Sequence, residues 1–208
     1  MKNKKLILYI LLIIIILLTV VIATYAYMNI RQKNYGDFDV DIKSKGVDLL
    51  EMSNLKDASI IADEINFGPG YGETQTDYSL LEIDLTTTND KVKYCYNVNV
   101  VLPEEQIFVY STEDKKPELV LNVYKSTDNE NYEKVIDSLD ITESIGTIEI
   151  PSMLNKQNYK NLIEATSSSK STVYWKAEIS YIWLENDLQD VNNKKEYNAS
   201  LKATLVDC

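Results

Sequence analysis

The sequence predicts an all-β fold, an antiparallel sandwich of about eight strands with one short helical excursion, preceded by an N-terminal transmembrane or signal helix. Three observations carry that prediction. From residue 37 onward apolar and polar residues alternate with a period of two, clusters of turn-forming residues separate the alternating runs, and Tyr, Val, Ile and Thr are abundant.

Taken in chain order, the first element is the run from Leu6 to Met28, which contains no charged residue. At 1.5 Å per residue it reaches roughly 35 Å, enough to cross a hydrocarbon core of about 30 Å. Lys2, Lys4 and Lys5 precede it, and because Lys-rich segments stay on the cytoplasmic side, the expected orientation is N-in and C-out. Thr24-Tyr25-Ala26 places small residues at the two positions that a signal peptidase reads, so Thr24, Ala26 and Tyr27 mark a candidate cleavage point before Tyr27. Residues 1–28 therefore serve either as a retained anchor, with the membrane as partner through residues 6–28, or as a signal removed on secretion. No Cys follows the run directly and no Leu-Pro-x-Thr-Gly motif lies near the C-terminus, so neither lipoprotein processing nor sortase attachment is expected.

Residues 29–36 read as a polar tether and residues 37–208 as one extracellular sandwich domain. About 180 residues outside the membrane suffice to bury roughly 70% of their unfolded surface without covalent staples. Phe38, Val40 and Ile42 alternate with Asp37, Asp39, Asp41 and Lys43. Such an amphipathic strand on a tether is suited to joining an exposed sheet edge as a donor strand, or to folding back on its own subunit. Val92, Tyr94, Tyr96, Val98 and Val100 form the next alternating set, followed by Leu119, Leu121 and Val123. Val173, Trp175, Ala177, Ile179, Tyr181 and Trp183 make the longest, and Tyr197, Ala199, Leu201, Ala203 and Leu205 the last. Turns are expected at Gly68 to Gly72, Thr88-Asn89-Asp90, Thr127-Asp128-Asn129 and Asp190 to Asn193. One short helical excursion is expected over Ser152 to Ala165, with Leu154, Leu162 and Ile163 as its apolar residues.

Charge and residue usage restrict the function. Three of the 21 basic residues precede the apolar run, which leaves 18 against 32 acidic ones beyond it. A domain so acidic is repelled by nucleic acid and by anionic lipid. The chain has no histidine, so neither a Ser-His-Asp triad nor a His-Glu-x-x-His zinc site exists, and no cofactor is implied. Carboxylates alone can cleave glycosides, but the acidic residues are scattered and nominate no pair. Asp37-x-Asp39-x-Asp41 with Asp48 resembles an EF-hand loop until Ile42, which stands where the turn needs Gly, so no metal site is expected. Gly68 to Gly72 lacks the Lys-Ser/Thr of a phosphate loop and reads as a turn. Asn198-Ala199-Ser200 is a glycosylation sequon within a strand, and Trp175 and Trp183 read as core packing rather than a sugar platform. Cys95 and Cys208 are both external; they either bridge, or stand as a buried Cys95 and a free Cys208.

Thr24-Tyr25-Ala26-Tyr27 at the end of a long apolar run, with Pro69-Gly70 opening a strand that leads to Thr88-Asn89, resembles the TasA and camelysin group of secreted Gram-positive proteins. Met28 stands where that group usually has Phe. Residues 174–184 and 197–205 are similar to its closing strand pair. The resemblance implies a jelly-roll sandwich, cleavage by a specialised signal peptidase, and assembly into extracellular fibres in which one subunit's N-terminal strand completes the next subunit's sheet. Camelysins have been described as metalloproteases, an activity that the missing histidines do not support. The resulting expectation is a non-enzymatic cell-surface or matrix protein that self-assembles or contacts other surface proteins. The alternatives are an anchored monomeric ectodomain that binds a ligand or partner, and a secreted hydrolase with two facing acids in a cleft.

Overall fold

The computed structural model describes residues 48–63, 67–153 and 158–208. These belong to one unit that spans Asp39–Cys208. The apolar run, the candidate cleavage residues Thr24, Ala26 and Tyr27, the tether, and the candidate donor residues Phe38, Val40 and Ile42 lie outside the described residues. Among the described residues, no helix is long and apolar enough to cross a membrane.

Twelve strands follow in order: β1 (Asp48–Lys56), β2 (Ala58–Ile61), β3 (Phe67–Gly68), β4 (Tyr71–Gly72), β5 (Gln75–Thr87) and β6 (Val92–Val101). Then come β7 (Leu119–Ser126), β8 (Glu133–Asp140), β9 (Thr147–Ile150), β10 (Asn161–Ala165), β11 (Ser171–Tyr181) and β12 (Glu196–Val206). Sheet I has the order β1-β5-β11-β7-β8; sheet II has the order β10-β6-β12-β2, with β9 also on β6. All pairings are antiparallel, so the fold is the all-β sandwich that alternation predicts. The chain changes sheet at Asp57, between β1 on the edge of sheet I and β2 on the edge of sheet II.

The two inner faces bury the alternating residues. Ile83 and Leu85 on β5, Val98 and Val100 on β6, and Leu121 and Val123 on β7 are fully buried. Trp175 is buried at the centre, with its Nε1 donating to the Tyr96 hydroxyl at 3.4 Å. Phe108, from the long β6–β7 connection, meets Tyr181 and Tyr197 edge to face at 5.0 and 5.6 Å between ring centroids. Pro69 and Gly70 form the turn between β3 and β4, and the φ of +78° at Gly70 is one that only glycine adopts without strain.

Two readings need correction. The helical excursion over Ser152 to Ala165 is not there in its second half: residues 161–165 are strand β10, with Asn161, Ile163 and Ala165 buried and paired along β6. The adjacent apolar pair Leu162-Ile163 mimics a helical stripe, but hydrogen bonding to β6 outweighs so weak a helix signal. Trp183 does not continue the Trp175 face on a strand, because β11 ends at Tyr181. There the backbone turns away: the Ile182 N–H donates to the Glu118 carbonyl and the Trp183 N–H to the Thr74 hydroxyl.

Candidate functional site

The sandwich has two poles. At one, Asp48 opens β1 opposite Thr87, and β6 starts just beyond. Asp48, the twelfth position of the would-be EF-hand loop, closes the turn between β5 and β6. Its carboxylate accepts from the Thr87 hydroxyl and, at 2.8 Å, from Asn89 Nδ2. Among the described residues no group of three acidic, Cys or His side chains could hold a metal ion.

The opposite pole carries the long connections 102–118 and 182–195. They are locked together by Glu118, which is fully buried. Its carboxylate accepts from the Ser111 backbone N–H and from the Ser111 hydroxyl at 2.9 Å, from Gln189 Nε2 at 3.0 Å, and from the Tyr181 hydroxyl and Asn192 Nδ2 at 3.2 Å. All of these partners are neutral donors, and together they saturate the two carboxyl oxygens. The Glu118 backbone N–H meanwhile donates to the buried Thr142 hydroxyl at 3.0 Å. Glu118 is a structural hub that fixes the loops.

The candidate site for assembly is the free edge of β1. Among the described residues this nine-residue strand has β5 on one side and no strand on the other, so the outward N–H and C=O groups of its alternate residues face no described strand. Leu50 and Met52 turn inward to the core, while Leu49 and Leu55 are 38% and 51% exposed. Leu55 is the extra residue of a bulge between Asn54 and Lys56. Beyond the bulge a groove of about 630 Å³ opens between β2 and the start of β5, lined by Ser59, Ile61, Asp63, Gln75 and Asp77 among others. Asp77 fills part of this opening: one carboxylate oxygen accepts from the Ser59 N–H at 3.0 Å and the other pairs with Lys56. Partial burial pushes the Asp77 carboxyl up, but Lys56 and the N–H groups of Ser59 and Tyr78 outweigh it and hold it below its ordinary range.

Cys95 on β6 and Cys208 just past β12 are joined by a disulfide. The pairing of Cys95 with Val206 in the β6–β12 ladder brings the two within reach, with their Cα atoms 5.1 Å apart. The sequon residue Asn198 is exposed on β12 and borders a second groove of about 350 Å³ with Asp57, Pro103 and Ile107.

Reading the sequence did not single out one carboxylate pair, Glu82 and Asp84, which sit two apart on the outer face of β5. Burial and then the neighbouring Asp84 push the Glu82 carboxyl up, whereas Lys170 and the Thr172 hydroxyl overcome burial to hold Asp84 down. Neither residue lines either of the two grooves described.

No family model matches the chain, and no curated protein matches it. Among solved structures, the C-terminal domain of a chitobiase from Bacteroides fragilis is 13% identical, over 75% of this chain and 95% of that one, with a TM-score of 0.26. A pectin-binding carbohydrate-binding module is also 13% identical, over 73% of this chain and 91% of that one, with a TM-score of 0.26. At that level of overlap the reading of the site rests on this chain's own residues.

Proposed function

We propose that the chain is an exported, non-enzymatic surface or matrix protein of the TasA and camelysin kind, and that its sandwich assembles by strand addition. The observation that supports this most directly is the open nine-residue edge of β1, which follows within a few residues of the amphipathic segment Asp37 to Lys43. An incoming strand gains main-chain hydrogen bonds along β1, and Phe38, Val40 and Ile42 supply its apolar face. The same segment would compete for the edge of its own subunit, because only four residues, Ser44 to Val47, separate it from β1 in the sequence. Exchange between subunits and closure within one are thus two uses of one acceptor.

Deleting residues 29–45 from the exported protein separates them. The expected outcome is loss of filaments in electron micrographs, with a melting transition that stays cooperative. Filaments that persist at wild-type length overturn the proposal.

A second reading, an anchored ectodomain that binds a partner, draws on the polarity of the sandwich. β1 opens at one pole, while the loops fixed by Glu118 and the exposed Tyr71, Leu188 and Val191 lie toward the other. These loops offer exposed apolar side chains to a partner. The mature N-terminus decides between the two readings: Tyr27 as first residue supports release, and intact Lys2 to Met28 supports the anchor.

A further inference from the structure

The edge of β1 is complementary to a second copy of itself. Leu50 and Met52 turn to the core, while Leu49, Glu51 and Ser53, opposite Thr86, Asp84 and Glu82 on β5, alternate with them on the outer face. The bulge at Leu55 ends this regular stretch.

Two such edges join into one sheet when they run antiparallel about a twofold axis perpendicular to it, because that operation keeps both inner faces on the same side. Facing residues must then be both inner or both outer, since a slip of one residue sets core-facing side chains opposite solvent-facing ones. Of the remaining registers, one centred on Glu51 places that carboxylate against its own copy, and like charges directly opposite are destabilising. One centred on Leu50 sets the Asp48 carboxylate, already held by Thr87 and Asn89, opposite the apolar Met52. Centring on Met52 removes both conflicts. Met52 then meets Met52 at the axis, Leu50 faces Asn54, and Glu51 faces Ser53. At each end the exposed Leu49 of one copy comes beside the exposed bulge residue Leu55 of the other, with Asp48 and Lys56, opposite in charge, just outside them.

We propose that a second copy of this chain docks on the β1 edge, antiparallel and centred on Met52, and joins the two five-stranded copies of sheet I into a closed dimer. An isologous contact of this kind closes on itself, whereas donation of a segment to the next subunit is heterologous and propagates. The dimer is therefore a resting alternative to the filament, because one edge cannot serve both. It needs β1 to be the acceptor edge, as under the proposed function, but it makes no use of the donor segment.

Sedimentation equilibrium of the full chain in a density-matched detergent tests it. A concentration-dependent dimer is expected, and because each copy carries a net charge of -11, added salt should tighten it. Ser53→Lys sets an ammonium opposite Glu51 of the other copy, twice by symmetry, and should tighten the dimer about tenfold, while Ser53→Glu should loosen it by a similar factor. Leu139→Lys on β8, which changes the net charge as Ser53→Lys does, should leave it unchanged. On oxidation, Met52→Cys should give a disulfide-linked dimer, Leu50→Cys or Asn54→Cys alone none, and a mixture of those two a linked pair. Deleting residues 29–45 separates this dimer from strand donation, since the dimer should survive where filaments are lost. The proposal is overturned if the chain stays monomeric, if Leu139→Lys tightens the dimer as much as Ser53→Lys, or if the two Ser53 variants shift it in the same direction. It is also overturned if a folded Met52→Cys chain does not cross-link, or if the deletion abolishes the dimer, which would assign the contact to the donor segment.

Discussion

The two sheets end differently. Sheet II has short outer strands, β2, β9 and β10, of four, four and five residues. The outward N–H of Ser59 on β2 is already taken by Asp77, and the central pair β6–β12 is stapled by the Cys95–Cys208 bridge. Sheet I ends in two longer strands, and only one of them is protected. On β8 the pairing slips twice against β7, Ser138 adopts a φ of +50°, and Glu133, Lys134, Asp137 and Asp140 line the strand. Bulges and charges are the usual devices that keep a strand edge from joining another sheet. On β1, the stretch from Leu49 to Leu55 has Glu51 as its single charged residue and leaves two leucines exposed. Among the described residues, three outer edges are blunted in three different ways, whereas β1 carries a bulge only near its end and few charges before it.

The largest effect is expected from unstapling sheet II. The bridge spans 113 residues of sequence, and in the chain-entropy model a loop of that length adds about 4 to 5 kcal/mol. Cys95→Ser with Cys208→Ser should lower the urea midpoint accordingly, and adding reductant to the wild type should reproduce the shift. Because the staple lies in sheet II and contributes no group to the edge of β1, filament formation by whatever fraction remains folded should persist. A midpoint indifferent to both changes would mean that the β6–β12 ladder holds sheet II without help.

The long alternating runs on β6, β7, β11 and β12 could be read directly, because each has one face in the core and one in water, so the period of two is undisturbed. What could not be read follows from the edges. On β1 the sequence Leu49-Leu50 puts apolar residues on both faces, and the bulge at Leu55 shifts the phase, which erases the alternation where the strand is most exposed. On β8 the irregularity around Ser138 does the same. Leu162-Ile163 on β10 imitated a helix for a related reason, since an edge strand tolerates an apolar residue on its outer face. For the cysteines, sequence left bridging open because it contains no information on which residue of β12 faces Cys95.

An intermediate effect is expected from opening the β2 edge. The Asp77 carboxyl is held below its ordinary value of 3.8 in the folded chain, so the stability it contributes is fully present above that value and is lost as the pH falls through the folded value. Once the pH has fallen through that lowered value, or in Asp77→Ala at any pH, the Ser59 N–H loses the carboxylate that covers it. The change in folding free energy should be small, on the order of 1 kcal/mol or less for a partly exposed ion pair. Light scattering should nonetheless rise, because a second edge becomes available for pairing. If Asp77→Ala scatters no more than the wild type at neutral pH, Asp77 is not the guard of that edge.

The smallest change in stability, and the sharpest test of the comparison, comes from giving β1 the protection that β8 already has. Leu49 and Leu55 are 38% and 51% exposed, and a lysine stem can cover the same apolar surface, so Leu49→Lys with Leu55→Lys should alter the folding free energy by about 0.5 kcal/mol or less. Two ammonium groups beside the open row of N–H and C=O would disfavour a second strand through both charge and desolvation. Leu139→Lys on β8 is the matched control, since Leu139, 39% exposed against 38% for Leu49, stands on an edge that is already guarded. Filament mass by sedimentation should fall in the β1 variant and stay unchanged in the β8 variant. Equal losses in both would show that general surface apolarity drives association, and the distinction between the two edges of sheet I would carry no functional meaning.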